Sequence, residues 1–374
     1  MADASAPRDG GDSRLAAFAD PLAGWHNDDI LLDKDARQAL GAVQPQLLRV
    51  LDWPELRALF KQHEGPANQH VRRGRQLGLM AGGCGVLALA VAAVALLVPQ
   101  GAAVVVGAVA LTLAAVAGAL FAARRLVTRS TELWLGSRYW TERARGLYFQ
   151  VLINNLDQAV AAMTDNTALA GWKATRARAL EALPPARDMA DRVRALARDV
   201  SDDEVWILPE WREPPPPPTP GPDLDRLLER LRAQRFDVQI AYSRRKLGES
   251  MGAPRRRAEA NAALAKVAMV VAAVAGGGAG LALLLGHGPE TLVTRAAAAV
   301  ALAAVGVVLG LRALNDALYP SAELVRFAGY NAAAVQARAQ FDGGGLDAKI
   351  DALRAMEAHA YRDLRDFIAS HARD

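Results

Sequence analysis

Polar and apolar positions in this chain segregate into long blocks. From Gln76 to Ala123 no side chain is charged, a run able to cross a hydrocarbon layer of roughly 30 Å twice at about 20 residues per pass. Pro99-Gln100-Gly101 divides the run, so spans of about 77–98 and 102–122 leave a turn of a few residues and predict an antiparallel hairpin. A second block repeats the plan, with spans of about 267–285 and 292–314 joined through Gly286-His287-Gly288-Pro289. Arg295 and Arg312 lie near the two ends of the last span, from where they reach an interface by snorkelling.

The polar blocks carry helical periodicity. Residues 129–156 contain no proline and predict a helix prolonging the second span, with Trp134, Arg138, Glu142 and Arg145 on one face and Trp140 among its rings. Asp52-Trp53-Pro54-Glu55 reads as a helix start with Asp52 as N-cap, and Gly65-Pro66 is expected to kink or break that helix. Residues 223–257 place Leu224, Leu227, Leu228, Leu231, Val238 and Tyr242 on an apolar stripe. Gly343-Gly344-Gly345 ends a further helix, and Ile350, Leu353, Met356, Ala360, Leu364 and Phe367 mark a last one. Pro184-Pro185 reads as a break, and Pro214 to Pro218 as a polyproline-II spacer between two halves.

Flanking charge gives orientation, because Lys and Arg mark the cytoplasmic side. Arg72, Arg73 and Arg75 precede the first span, Arg124, Arg125 and Arg129 follow the second, Arg255, Arg256, Arg257 and Lys266 precede the third, and Arg312 closes the fourth. The turns hold only Glu290 and Arg295. The expectation is an all-α membrane protein in a bacterial inner membrane, its four transmembrane helices arranged as two parallel-repeated hairpins with cytoplasmic helical extensions and both termini cytoplasmic. The implied divisions are 1–51, a first two-span unit at 52–156, a linker at 157–223, a second two-span unit at 224–341 and a C-terminal helix at 342–374. Basic cluster, span, turn, span and aromatic helix recur in the same order, as a parallel duplication requires.

Composition sharpens this picture. Of 374 residues 52% are hydrophobic but only 6% aromatic, an Ala-, Val- and Leu-rich excess suited to a bilayer more than to soluble cores. Six of the 44 basic residues are lysine and the net charge is +4, so no nucleic-acid partner is expected from charge. The single cysteine, Cys84, excludes an intrachain disulfide. The first 70 residues are polar, so no cleavable signal peptide is expected.

Catalytic constellations were sought and none stands out. Gly82-Gly83-Cys84-Gly85 lacks the Lys-Ser/Thr pair of a phosphate loop, His63 and His70 find no third metal ligand, and Trp25-His26-Asn27-Asp28-Asp29 matches no ligand spacing. No catalytic residue, metal or cofactor is assigned, and a non-enzyme is expected. The spans offer small-residue faces instead: Gly78 with Gly82, Gly276 with Gly280, and Gly306 with Gly310 are each spaced i, i+4 and permit close backbone approach. These faces are expected to pack each hairpin's own spans, with contact between subunits as the alternative. No ionisable group sits in mid-span, which argues against a coupled ion pathway.

Two stretches resemble SLATT domains, the two-transmembrane proteins associated with nucleotide second-messenger synthases or sensors. Leu228-Glu229-Arg230-Leu231-Arg232-Ala233-Gln234, then Gln239-Ile240-Ala241-Tyr242 and Lys246, is similar to the entry helix of that family. Arg138-Tyr139-Trp140-Thr141-Glu142-Arg143-Ala144-Arg145 with Tyr148-Phe149 is similar to its post-span helix. The resemblance implies two copies, 52–156 and 224–341, although the second post-span helix lacks the Trp and most of the charges of the first. It further implies an effector of a bacterial anti-phage or conflict system that oligomerises and permeabilises the inner membrane on a cytoplasmic signal. Its partners would be the lipid bilayer, further copies of itself, and a nucleotide second messenger or cytosolic sensor protein. Trp134, Arg138, Trp140, Glu142, Arg145, Tyr242, Arg244 and Arg245 are the candidate signal or interface residues. The competing class is a constitutive membrane scaffold that binds a cytosolic partner through its helices.

Overall fold

The computed structural model describes residues 29–128, 131–183, 189–196, 198, 202, 204–248, 254–318 and 321–372. Residues 25–28, Pro184-Pro185 and Arg129 lie outside them, as do the side chains of Arg75, Arg124 and Arg125. The protein is about 85% helical and has no strand among the described residues. In chain order the helices are α1 (Lys34–Val43), α2 (Pro45–Leu51), α3 (Pro54–Ala95), α4 (Gln100–Thr128), α5 (Thr131–Ile153), α6 (Leu156–Thr164), α7 (Asn166–Glu181) and α8 (Met189–Leu196). They continue with α9 (Pro222–Arg232), a π segment (Ala233–Asp237), α10 (Val238–Leu247), α11 (Pro254–Leu284), α12 (Leu292–Leu318), α13 (Ser321–Gly343) and α14 (Leu346–Ala372). Among the described residues four helices are long and apolar enough to cross a membrane, over Arg72–Ala95, Gln100–Ala123, Arg255–Leu284 and Leu292–Asn315. The chain thus has the build of a multi-pass membrane protein.

The helices gather into two compact units, each built from separated stretches of the chain. One takes in residues 71–129 and 248–321; the other takes in 24–70, 130–247 and 322–374. The first holds the four spans. Val104, Val105 and Leu111 of α4 and Val267, Val270 and Val274 of α11 are each 60% exposed or more. On a soluble protein such a surface would be a liability, but it suits acyl chains. α11 turns back into α12 through a Schellman closure: the Gly286 N–H donates to Leu283 O (3.1 Å) and the His287 N–H to Ala282 O (3.0 Å). Gly286 takes φ +86°, a left-handed conformation that a side chain would strain. Asn261 and Asn315 hydrogen-bond across the other end of this pair (2.9 Å).

The second unit surrounds α5, which is buried on nearly every side: Leu135, Tyr139, Leu147, Tyr148, Phe149, Val151, Leu152 and Ile153 are all at most 2% exposed. A helix covered on nearly every side belongs in a core, and the rings of Tyr139, Trp140, Tyr148 and Phe149 are part of it. α7 seals one side with Trp172, fully buried, whose indole N–H donates to Val50 O (3.1 Å). The predicted stripes on α9 and α14 face the same core through Leu224, Leu227, Leu228, Leu231, Ile350, Leu353, Met356, Leu364 and Phe367.

Two expectations change. α3 continues through Gly65-Pro66 without a break, because proline removes one backbone donor and the flanking turns keep theirs. The N-cap role read for Asp52 is not seen; its carboxylate pairs with the Arg57 guanidinium, and the Arg57 N–H closes the first turn on Trp53 O (3.0 Å). The ends of the proline run are held against the unit: Arg354 donates to Trp211 O and Arg212 O (2.9 Å each), and the Thr219 N–H donates to Asp157 (2.8 Å).

Candidate functional site: a buried arginine–carboxylate network

Helical spacing places Arg138, Glu142 and Arg145 on one face of α5, and the structure builds a charge network from it. Arg138 Nη2 lies 2.7 Å from Glu142 Oε1, and Arg145 pairs with the other oxygen of the same carboxylate. Arg145 also reaches Asp29, with Nε 3.1 Å from Oδ1 and 2.9 Å from Oδ2. Asp29 is fully buried and accepts a third bond from Gln239 Nε2 of α10 (2.8 Å). Residues separated by 116 and 210 positions are thereby tied to one carboxylate.

One turn before Gln239, in the π segment, Arg235 adds a second pair. Its Nε lies 2.7 Å from Oε1 of Glu357 on α14, both side chains being 1% exposed. The contact is close but misaligned for a hydrogen bond: Arg235 Nε and Nη2 and Glu357 Oε1 all lack a hydrogen-bond partner. The guanidinium instead lies over the Phe149 ring, 4.6 Å from its centroid, a favourable cation–π geometry. A π segment adds one residue to a turn and often marks functional positions; here Gln234, Arg235 and Phe236 are all buried.

Burial and charge compete at each acid. Burial pushes the Asp29 carboxyl up, against the opposing pull of Arg145 and Arg235. At Glu142 burial also acts upward, but Arg138 and Arg145 outweigh it and hold the group at about 2. At Glu357 burial outweighs the opposing pull of Arg235 and Arg143 and pushes the group up to about 7. Asp363, paired with Arg326, is likewise pushed up by burial to about 6. Three guanidiniums (Arg138, Arg145, Arg235) face three carboxylates (Asp29, Glu142, Glu357) in a space where removing one member strands another.

The other candidate side chains are placed elsewhere. Trp134 packs edge-on against Phe367 (5.5 Å between centroids) and His371 (5.3 Å), while Trp140 stacks with His63 at 4.4 Å. Tyr242 meets Phe327 at 5.6 Å, with Lys246 Nζ 5.4 Å from the Phe327 ring. Arg244 and Arg245 are exposed. Arg235 and Glu357 carried no sequence signal beyond being charges inside otherwise apolar stripes, and Asp29 stood out only as part of a polar run. A groove of about 320 Å³ lies between Trp53 and Glu55 on one side and Lys173, Arg176, Ala177, Leu180 and Glu181 on the other. Its two cations are matched by Glu55 and Glu181, so it offers no net positive charge to a phosphate.

Among the spans, the glycine faces divide. A Cβ on Gly82 would stand 3.1 Å from Ala313 Cβ, one on Gly306 would stand 3.1 Å from Leu89 Cβ, and Gly310 abuts Val86. These contacts join α3 to α12, helices of the first and second apolar blocks, whereas the sequence reading expected these faces to pack spans of the same block. Leu89 and Val86 fill the room the glycines leave. Gly276 lies in ordinary contact range of Ala301 (3.9 Å), Gly280 has open space beside it, and Gly78 is buried. Arg295 of α12 donates to Leu96 O and to Val98 O (2.7 Å), capping carbonyls left unpaired at the end of α3. Among the described residues no three of His, Cys, Asp and Glu come together as a metal site.

Comparison with family models, curated proteins and solved structures finds no match to the chain.

Proposed function

We propose that this protein is a non-enzymatic effector of the bacterial inner membrane, whose cytoplasmic helical unit receives a signal and whose spans respond by assembling with further copies and permeabilising the bilayer. The observation that carries this reading is the open glycine surface of α11. Gly277 and Gly280 have nothing within 4 Å, and their i, i+3 spacing leaves one helix face with room for close approach by a second helix. Lipid gains nothing from such a groove, whereas another copy of the chain does. The SLATT resemblance supplies the biological setting, conflict-system killing or arrest, with both termini and the 130–247 segment cytoplasmic.

The second reading, a constitutive scaffold, draws on the charge balance of the groove at Trp53. A nucleotide second messenger would bring phosphates to a site where Glu55 and Glu181 offset Lys173 and Arg176, so a protein trigger or a standing partner fits that surface better. Purified protein in dye-loaded liposomes separates the readings. Release on addition of one member of a cyclic-oligonucleotide panel supports the gated effector. Tight liposomes with every nucleotide, together with a monomeric chain by crosslinking, support the scaffold.

A further inference from the structure

The run from Trp211 to Pro222 is a stretch of chain with its own geometry. Five consecutive prolines each lock φ near −65° and confine the residue before them to extended ψ, so Glu213 to Pro217 are forced into a polyproline-II helix with three residues per turn. The burial pattern follows that period. Pro218 is buried, while Pro215 and Gly221, three residues to either side, are half-buried. The other two edges, Pro214 with Pro217 and Pro220, and Glu213 with Pro216 and Thr219, are exposed at every position. Both ends are fastened: the Trp211 and Arg212 carbonyls accept from Arg354, and the Thr219 N–H donates to Asp157.

A brace needs one apolar edge; prolines on an exposed edge add nothing to its packing. We infer that the two exposed edges of 213–220 form a docking surface for a partner protein that reads polyproline-II helices through an aromatic-lined groove. Such grooves take proline rings between aromatic faces and donate hydrogen bonds to the carbonyls, and along this run the prolines leave those carbonyls without neighbouring donors. The helix is already ordered, so a partner does not bear the entropy of straightening it. Glu210 and Glu213, exposed at its N-terminal end on either side of exposed Arg212, leave a net negative charge there that asks for a cation at the matching end of the groove and disfavours a phosphate-bearing surface.

The test uses the full chain in nanodiscs, with a purified SH3 domain and a purified WW domain as probes, both readers of this helix type. Saturable binding of either probe, weakened about tenfold by Pro214→Ser with Pro217→Ser, is the expected result. Because those prolines are exposed, the double variant should keep wild-type helicity and melting, which circular dichroism checks. Binding that survives the double substitution overturns the proposal. So does probe binding to a free peptide of residues 210–222 when the full chain does not bind, since the surface is then occluded. Failure of both chain and peptide also overturns it, and proline-dependent crosslinking between copies of the chain transfers the surface to a second copy.

Discussion

Arg235 and Glu357 face each other 2.7 Å apart at 1% exposure without forming an aligned hydrogen bond. A pair of this kind costs desolvation on both sides and returns only part of it, so cutting one member is worse than neutralising both. Arg235→Met is expected to destabilise the helical unit by about 3 kcal/mol or more at pH 8. At pH 6 the loss should be smaller, because Glu357, pushed up to about 7 by burial, takes up a proton and sheds its unpaired charge. Denaturant unfolding of both proteins at the two pH values measures the difference; equal losses would remove Glu357 as the stranded group.

The same acid sets a slope in the parent protein. Its folded value of about 7 lies above the ordinary 4.5, so the native state holds more protons than the unfolded state between those values. The stability this group contributes is complete below about 4.5 and is lost as pH rises through 7. Asp363, at about 6 against 3.8, acts in the same direction over a lower window. Glu357→Gln should flatten the fall in melting temperature between pH 4.5 and 7 while leaving the Asp363 part, and an unchanged slope in that variant would contradict the assignment.

Asp29 and Arg145 should differ when each is removed. Asp29→Asn leaves Arg145 with Glu142 and keeps an oxygen for Gln239, for a loss of about 1–2 kcal/mol. Arg145→Met strands Asp29 at zero exposure and should lose about 3–5 kcal/mol. Thermal melts followed by helical circular dichroism rank the two, and the reverse order would show that Asp29 is not the dependent partner.

In the spans, Gly306→Leu and Gly310→Leu drive side chains into Leu89 and Val86 and should lower stability in nanodiscs by about 1–3 kcal/mol each. Gly280→Leu enters open space, so it should leave the monomer's melting unchanged while blocking assembly and dye release. Release at wild-type rates from Gly280→Leu would sink the assembly role given to α11.

Arg295→Met frees the carbonyls of Leu96 and Val98, for an expected loss of about 1–3 kcal/mol. Arg295→Lys lacks the fork that reaches both oxygens at once and should recover only part of it. Protease sensitivity of the 96–99 turn in proteoliposomes reports the change, and equal sensitivity in all three proteins would show the cap to be inert.

The spans were legible because long apolar runs with charge only near their ends admit few other fates, and the helices of the second unit because their stripes repeat at three and four residues. The glycine pairs announced close approach but not the neighbour: a small face fits any partner of matching relief, and only the packed structure sets Gly310 on Val86. The network was half legible. Arg138, Glu142 and Arg145 share a helix face by arithmetic, whereas Asp29, Gln239, Arg235 and Glu357 join them through tertiary contacts that leave no local trace. The proline run was readable as rigid, but its docking depends on Asp157 and Arg354, 62 and 142 residues from the positions they hold.

The second unit takes its helices from before the first span, from between the second and third, and from after the fourth. During synthesis this orders events in one direction. All four apolar helices are made before α14, whose Leu353, Met356, Leu364 and Phe367 complete the core around α5. The apolar faces of the earlier helices of this unit therefore stay incompletely covered until the last helix of the chain has been made.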